Sequence, residues 1–387
     1  MAETNEENDG AEDDRKAGNG RRVRQAGEGD MRGVTFPGDR RVEIMNFDDP
    51  TPGPGEVVIE VKASGLCGSD LHAYRAPTDD AAFRELAKGK PYETMRDNGP
   101  KIAGHEPCGV VVAVGPGVSE RVARLGQRVM IHHYSGCHVC DQCRTGWPQM
   151  CEEMVPDIYG WTAHGAHAKY MKCAAHTLVT LPEGLSFEAG AAIACGSGTS
   201  YAALRKVQPN ASHTVAIFGQ GPVGLSGTQF AAAMGARVIA LDVNKERLET
   251  ARRFGAAETI NPAEVDAPEA IRELTHGRGA HFSIETSGAQ QAIADAIKSL
   301  RLWGTAVFVG LGRPPVVDFA SDVIFRQISL QGSFTFSTNI MEECAVFSVD
   351  RGVEVEAVFS DRWSLEQAAQ AYDLLDKQSS GKGVIIF

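Results

Sequence analysis

The apolar residues of this 387-residue chain follow two different patterns. From residue 31 to about residue 180, short alternating or β-branched segments stand between glycines and prolines, as in VVIEVKAS at 57–64 and GVVVAVG at 109–115. Such segments are typical of strands that are bounded by turns. We therefore expect residues 31–180 to form a compact β-rich domain whose loops carry histidine and cysteine.

In the second half of the chain, apolar strands alternate with helical segments. HTVAIFG at 213–219, RVIALD at 237–242 and HFSIETSG at 281–288 each lead into a helical pattern. This alternation, which begins near residue 181, predicts a doubly wound parallel sheet. Residues 337–387 do not continue the rhythm, because they hold one helical pattern and a closing strand, so we expect them to return to the first domain.

The first thirty residues differ from the rest of the chain. Residues 1–30 show neither apolar periodicity nor the apolar core of a secretory signal, which predicts a disordered acidic tail. The net charge of −12 disfavours binding to the negatively charged phosphates of a nucleic-acid backbone, so we expect no nucleic-acid partner. The sequence also has no apolar run long enough to predict a membrane span. These features predict a cytoplasmic protein whose thiols stay reduced.

A glycine-rich string follows the first strand of the alternating region. Residues 219–224 read GQGPVG, which has the G-x-G-x-x-G form between a strand and a helix. Gly219 permits a tight turn, Gly221 lets the backbone approach a pyrophosphate, and Gly224 lets helix and strand pack closely. Pro222 and Val223 open the helix, whose N-terminus faces the phosphate charge. The string predicts a dinucleotide site.

The end of the next strand indicates which dinucleotide is bound. Asp242 stands eighteen residues beyond Gly224, where its carboxylate can accept hydrogen bonds from ribose hydroxyls and would repel a 2′-phosphate. NAD is therefore favoured over NADP. The alternative role of Asp242 is a helix N-cap, and Arg247 is near enough to contact a phosphate, which keeps NADP open.

Four of the nine cysteines lie within fifteen positions. Cys137, Cys140, Cys143 and Cys151 have the spacing C-x2-C-x2-C-x7-C, which can close a tetrahedral all-thiolate site around zinc. A disulfide framework would be poor at this density. Reduced thiols that bind nothing and a redox switch stay open as interpretations of the same four residues.

A second group of metal-capable residues lies in the β-rich part. The segments GLCGSDLH at 65–72 and GHE at 104–106 contain Cys67 and His105, and Cys195 stands at the transition to the alternating region. We interpret the remaining cysteines as buried small residues and four further histidines as structural, namely Cys108, Cys173, Cys344, His132, His133, His164 and His167.

The order of these motifs resembles that of the zinc-containing medium-chain alcohol dehydrogenases over residues 31–387. The resemblance implies an α/β fold with a GroES-like β-rich catalytic domain, 31–180 joined by 337–387, and a Rossmann domain with a doubly wound parallel sheet, 181–336. It also implies two zinc ions per chain. The catalytic zinc would be bound by Cys67, His105 and Cys195, and the four-cysteine lobe would hold a structural zinc.

The same resemblance implies roles for the neighbouring polar residues. Glu106 would sit beside the metal and exchange with water as a ligand, and Asp70 would orient the ligand histidine. Ser69 and His72 would relay the proton of the alcohol. Lys382 would face the pyrophosphate. Because this chain has Gly68 where many relatives carry a basic residue, cofactor affinity would depend on Lys382 and Arg247.

The implied reaction is hydride transfer between an alcohol and NAD, since zinc lowers the pKa of a bound oxygen to roughly 7. A sugar, polyol or amino-alcohol dehydrogenase of the sorbitol or threonine type is an alternative. A non-catalytic sensor that binds NAD and zinc is an alternative from another class of protein. We expect a small alcohol or carbonyl substrate, no membrane partner, and a homo-oligomer, either dimer or tetramer.

The segment between His72 and Gly104 is long, charged and partly helical in pattern. It begins directly after the predicted relay histidine, so we expect it to shape the entrance for the substrate. Its charges favour a polar or secondary alcohol over an apolar primary alcohol.

Overall fold

The computed structural model describes residues 31–89, 93–94, 97, 99–377 and 381–387. The predicted acidic tail, residues 1–30, lies outside the described residues, as do parts of the charged segment between His72 and Gly104.

Strands in this part of the chain are β1 (Met31–Gly38), β2 (Arg41–Phe47), β3 (Glu56–Gly65), β4 (Glu106–Val114), β5 (Arg128–Ile131), β6 (Tyr134–Ser135), β7 (Asp157–Ile158), β8 (Tyr170–Ala174), β9 (Leu178–Thr180), β10 (Thr214–Phe218), β11 (Arg237–Leu241), β12 (Glu258–Ile260), β13 (Ala280–Glu285), β14 (Leu300–Phe308), β15 (Ser329–Gly332), β16 (Phe359–Trp363) and β17 (Lys382–Ile386). The α-helices are α1 (Asp70–Tyr74), α2 (Asp80–Ala87), α3 (Asp141–Arg144), α4 (Phe187–Ala192), α5 (Gly198–Val207), α6 (Pro222–Ala233), α7 (Lys245–Arg253), α8 (Ala267–Leu274), α9 (Gln290–Lys298), α10 (Thr338–Arg351) and α11 (Ala368–Asp376).

The first sheet combines strands from the two ends of the chain. Its order is β16-β17-β3-β4-β5-β9, with β8 paired to β3. The closing strand β17 runs antiparallel to β3, and Ile385 lies opposite Ser64. The predicted boundaries at residues 180 and 336 stay predictions, although this pairing is the one expected if the last segment returns to the first domain.

The second sheet is parallel throughout and has the order β12-β11-β10-β13-β14-β15. Its central strand β10 is buried on both faces. Val215 and Ile217 pack into one apolar cluster, while Ala216 and Phe218 pack into another on the opposite face. A doubly wound sheet requires this two-sided burial, so the predicted fold class is confirmed.

The segment 187–207 connects the two sheets. It consists of α4, a π-helical turn at Ile193–Ser197, and α5. A single core cluster includes its alanines together with Ala63 and Met130 from the first sheet and Ile217 from the second. Small residues permit this close packing, because a Cβ at Gly190 would lie 2.3 Å from the Cys108 sulfur. The segment thereby holds Cys195 at the junction of the sheets.

The predicted helix in the charged segment is present as α2. Its Phe83 and Ala87 are buried in an apolar cluster that also contains Tyr74 and Tyr372. This helix is thus anchored by apolar packing against α1 and α11, while the expected role of the segment at the substrate entrance stays a prediction.

Candidate metal and cofactor sites

Cys67, His105, Glu106 and Cys195 come together at the junction of the sheets. One ligand atom from each lies within 4.8 Å of the others, and the two sulfurs are 3.9 Å apart. Two thiolates bound to one tetrahedral zinc, each at about 2.3 Å, are separated by about 3.8 Å. The spacing of the sulfurs therefore fits zinc ligands and is far too long for a disulfide.

Local backbone features bring each donor into the site. Cys67 lies between β3 and α1, and its N–H donates to the Asp70 carboxylate at 2.9 Å. His105 directly precedes β4 and follows Gly104, which has a φ of +90° and no room for a Cβ beside the ring of His167. Cys195 occupies the π-helical turn, a wide turn of the kind often found at functional sites.

The buried carboxylate of Asp70 orients the imidazole of His105. The distance between Asp70 Oδ1 and His105 Nδ1 is 2.8 Å. A hydrogen bond at Nδ1 leaves the lone pair of Nε2 for a metal. The hydroxyl of Ser69 lies 3.2 Å from Nε2, on the side of the ring that faces the two cysteines.

The electrostatic field in this cluster favours a cation. Burial alone would lower the pKa of His105, but Asp70 and Cys67 together raise it well above its usual value. The hydrogen bond from Cys195 holds the pKa of Cys67 well below the usual thiol value, whereas the same contact raises that of Cys195. A bound cation would favour the thiolate form of both sulfurs.

The glycine-rich turn has the geometry that a dinucleotide needs. Gly219 has a φ of +86°, and a Cβ at Gly224 would lie 1.8 Å from the Gly219 carbonyl oxygen. A Cβ at Gly221 would meet nothing within 4 Å, so the backbone there is open to a ligand. Pro222 and Val223 are the first residues of α6, as predicted.

Asp242 lies beside this turn at the end of β11. Its carboxylate accepts hydrogen bonds from the N–H groups of Gln220, at 2.6 Å, and Asn244, at 2.8 Å. The alternative role of Asp242 as a helix N-cap is not realised, because Asn244 caps α7. The Arg247 guanidinium is 3.7 Å from the Asp242 carboxylate, so the two predicted cofactor contacts are adjacent.

Comparisons with known proteins identify the family. Residues 53–183 match the family described as "Alcohol dehydrogenase GroES-like domain", and residues 222–349 match "Zinc-binding dehydrogenase". The chain is 36% identical over 361 residues to an uncharacterized zinc-type alcohol dehydrogenase-like protein, YphC, of Escherichia coli K12, covering 92% of this chain and 99% of that protein. The chain belongs to the zinc-containing medium-chain alcohol dehydrogenase family.

Two further relatives of this dehydrogenase have named activities. The sorbitol dehydrogenase of Bacillus subtilis is 32% identical, with 89% of this chain and 93% of that protein covered. The solved structure of alcohol dehydrogenase TADH from Thermus sp. ATN1 matches with a TM-score of 0.80 at 26% identity, covering 92% and 99% of the two chains. Membership of the family confirms the predicted reaction class, zinc-dependent alcohol oxidoreduction with NAD. Within the described residues, none of the helices has the length and apolarity needed to cross a bilayer.

The position of Lys382 corrects one expectation. The resemblance implied that Lys382 faces the pyrophosphate, but its ammonium is buried and donates to Glu106 Oε1 and to the Leu66 carbonyl, each at 2.7 Å. Burial acts to lower the pKa of Lys382, and the charges of Glu106 and the two site cysteines raise it above the usual value. Lys382 therefore carries positive charge into the metal site.

The two predicted relay residues occupy different environments. Ser69 is beside His105, and its hydroxyl makes no capping hydrogen bond to α1. His72 is exposed to solvent, with its ring centroid 6.5 Å from that of Trp161. The ring centroid of Trp161 is also 6.3 Å from that of His105, so this indole is near both the buried and the exposed histidine.

Sequence patterns did not point to the aromatic side chains at this site. Trp161 follows β7, and Tyr134 lies in β6 with its ring 4.4 Å from that of His133. His133 is in turn 5.1 Å from His105. These residues occur in short strands and loops without a motif, so only the folded chain reveals that they line the site.

The four-cysteine lobe forms a second, separate cluster. The ligand sulfurs of Cys137, Cys140, Cys143 and Cys151 lie within 4.8 Å of one another, and two of the pairs measure 3.9 and 4.0 Å. This spacing again fits a tetrahedral zinc. Backbone N–H groups of residues 139 and 140 donate to the Cys137 sulfur, which helps to fix its position in the cluster.

The interpretation of the other cysteines and histidines agrees with their contacts. Cys108, Cys173 and Cys344 are buried among apolar residues. His132 and His133 bond to main-chain carbonyls, His164 accepts from the Ile102 N–H, and His167 lies between two hydroxyls.

We predict that Cys140→Ser and Cys67→Ser fail in different ways. Structural zinc in finger peptides binds with about 10–16 kcal/mol, which rivals the ~5–15 kcal/mol stability of a domain. Cys140→Ser should therefore lower the melting temperature and soluble yield while folded enzyme keeps near-normal turnover per active site. Cys67→Ser should abolish turnover in a mostly intact fold.

A suitable control for that comparison is Val139→Ala, which changes an exposed, non-ligand residue of the same lobe and should leave the melting temperature unchanged. If Cys140→Ser gives a stable and soluble protein without turnover, the assignments of the two clusters must be exchanged.

Proposed function

We propose that this dehydrogenase oxidises polar or secondary alcohols, and that the substrate hydroxyl binds at the metal site formed by Cys67, His105 and Cys195. The main support is the position of this donor set between the two sheets, with Cys195 in the segment that leads into the cofactor-binding half. Zinc held there would polarise the substrate oxygen and lower the pKa of the alcohol. NAD at the glycine-rich turn would accept the hydride.

The chain supplies a route for the proton of the alcohol. The Ser69 hydroxyl lies 3.2 Å from His105 Nε2. It is therefore within reach of a substrate hydroxyl at the metal site that Cys67, His105 and Cys195 would form. His72 follows three residues later on α1 and is exposed, so it can pass a proton to bulk water. The Ser69 hydroxyl beside His105 and the exposed His72 imidazole would together form a proton relay made of ordinary acid–base groups.

The surrounding residues hold the donors and exclude water. Asp70 fixes the orientation of His105, and Lys382 fixes that of Glu106 through their buried ion pair. Trp161 beside His105, and Tyr134 beside the neighbouring His133, add mostly buried aromatic rings to this part of the site. A site lined in this way limits access of bulk water, which strengthens the electrostatic interactions within it.

We propose two zinc ions per chain, one for each cluster of ligands. In both clusters the distances between donors match one ion, and only the four-cysteine lobe closes all four positions with thiolates. Because six thiols would serve as ligands, the protein must work where thiols stay reduced, which supports the predicted cytoplasmic location.

A polyol substrate is the second candidate. The identity to sorbitol dehydrogenase supports it, as does the charged segment after His72. Cys195 as the third ligand favours a simple alcohol, because the resemblance attributes other ligands to many sorbitol- and threonine-type enzymes. A non-catalytic sensor is set aside, since the chain belongs to an enzyme family.

We predict that the protein reduces NAD with small secondary alcohols, diols or polyols. A panel of alcohols, polyols and amino alcohols, followed by NADH absorbance, identifies the class. Turnover of apolar primary alcohols alone would contradict the polar-substrate proposal. No turnover by zinc-loaded, NAD-binding protein with any member would contradict the proposed reaction itself.

Asp242 is expected to decide between NAD and NADP. Asp242→Ala removes a carboxylate that would repel a 2′-phosphate, so the ratio of kcat/KM for NADP to that for NAD should rise about tenfold or more, equivalent to about 1.4 kcal/mol. Glu246→Ala removes an exposed negative charge from the first turn of α7 and should leave the ratio unchanged. A wild-type preference for NADP would overturn the assignment.

We also propose that this dehydrogenase is a homo-oligomer that associates through β15. This strand ends the second sheet in the described part of the chain, and the segment 302–330 around it exposes many large apolar side chains. These are Leu302, Trp303, Leu311, Val316, Phe319, Ile324, Phe325 and Leu330. An unpaired strand edge with apolar neighbours is a surface that proteins cover by pairing with another chain.

A lysine on this strand should disrupt association. Leu330→Lys is expected to shift the mass measured by light scattering toward the monomer, since a buried charge at an interface is costly. Leu125→Lys introduces the same charge at an exposed leucine of the first sheet's loops and serves as the control. Unchanged mass in Leu330→Lys, or a monomeric wild type, would refute this interface.

A further inference from the structure

A continuous series of buried hydrogen bonds extends away from the candidate zinc ligand His105. His105 Nδ1 is 2.8 Å from Asp70 Oδ1, and Asp70 Oδ2 is 2.9 Å from the hydroxyl of Tyr372. The Tyr372 hydroxyl is 2.7 Å from His167 Nε2, and His167 Nδ1 is 2.8 Å from the hydroxyl of Ser64. All five residues are at most 3% exposed.

The donor and acceptor at each step follow from the chemistry of the groups. Ionised Asp70 can only accept, so Tyr372 donates its O–H to it. The phenol oxygen must then accept the Nε2–H of His167, which leaves Nδ1 of His167 to accept the O–H of Ser64. At the other end, His105 donates Nδ1–H to Asp70, which leaves the Nε2 lone pair available for a metal.

The environment of His167 supports this arrangement. Burial lowers its pKa to about 4, so the imidazole is neutral at ordinary pH and carries one N–H. Three separate parts of the chain meet here: Ser64 on β3 and Asp70 at the start of α1 are close in sequence, whereas His167 precedes β8 and Tyr372 is on α11. The phenol ring also packs edge-on against Phe36, at 4.7 Å between centroids. This packing accounts for an aromatic ring at position 372 but does not involve the hydroxyl.

We propose that Tyr372 and His167 are positioning residues for the zinc ligand His105, and that they act by holding the Asp70 carboxylate in one orientation. This inference rests on the proposed function, because it takes Cys67, His105 and Cys195 as the ligands of the catalytic zinc. Asp70 Oδ2 has two donors, the N–H of Cys67 and the O–H of Tyr372. Loss of the hydroxyl leaves the carboxylate fixed by Cys67 alone on that side.

The test uses the zinc-loaded protein and the variant Tyr372→Phe. Zinc release to a colorimetric chelator should occur in two phases, one for each cluster, and the catalytic phase is the one that is absent in Cys67→Ser. Removing partners in the outer shell of a metal typically costs about 10–100-fold in metal affinity or activity. We expect Tyr372→Phe to speed the catalytic phase about tenfold and to leave the four-cysteine phase unchanged.

Two further variants complete the test. Tyr74→Phe removes a hydroxyl from a buried tyrosine whose ring centroid is 5.9 Å from that of Tyr372, and it should change neither phase. Ser64→Ala removes the hydroxyl that donates to His167 Nδ1 without altering Tyr372 or Asp70. It should speed the catalytic phase in the same direction but by a smaller factor.

The possible results separate this inference from the proposed function. Equal acceleration of both phases in Tyr372→Phe would indicate a general loss of stability and would refute the positioning role. An unchanged catalytic phase would refute it as well, with the zinc site itself intact. If Cys67→Ser removes no phase from the release curve, the proposed catalytic zinc site fails first, and the positioning role fails with it.

Discussion

The burial of negative charge between the two sheets is the constraint on which the catalytic centre depends. The thiols of Cys67 and Cys195 and the carboxyls of Asp70 and Glu106 would carry four negative charges if all were ionised, and Lys382 supplies one positive charge beside them. Burying three uncompensated charges is very costly. A divalent cation reduces the imbalance to one, so the donor set and the zinc that it would bind stabilise each other.

This constraint explains why the chain returns to its first sheet. The segment after residue 337 supplies β17, which brings Lys382 to Glu106, and α11, which brings Tyr372 to Asp70. Both contacts are buried: Lys382 neutralises Glu106 and Tyr372 orients Asp70, and each carboxylate lies next to the proposed zinc ligand His105. The end of the chain is therefore part of the catalytic centre as well as part of the sheet.

Residues that belong to local motifs could be predicted from the sequence, because their spacing reflects a chemical requirement. The four cysteines around Cys137 and the turn at Gly219 are of this kind, whereas the set Cys67, His105 and Cys195 is implied by the resemblance to the dehydrogenase family. The partner of Lys382 could not be predicted, since Glu106 is 276 residues away, and neither could the hydroxyl of Tyr372, 302 residues from Asp70. Such pairs depend on how sheets and helices pack, which periodicity does not encode.

The most direct test of the central claim is anomalous X-ray diffraction at the zinc absorption edge, from crystals of protein purified without added metal. The account predicts an ion at about 2.3 Å from the sulfurs of Cys67 and Cys195 and at about 2.0–2.1 Å from His105 Nε2. It would be contradicted by a disulfide between the two cysteines, or by zinc that is found only in the four-cysteine lobe.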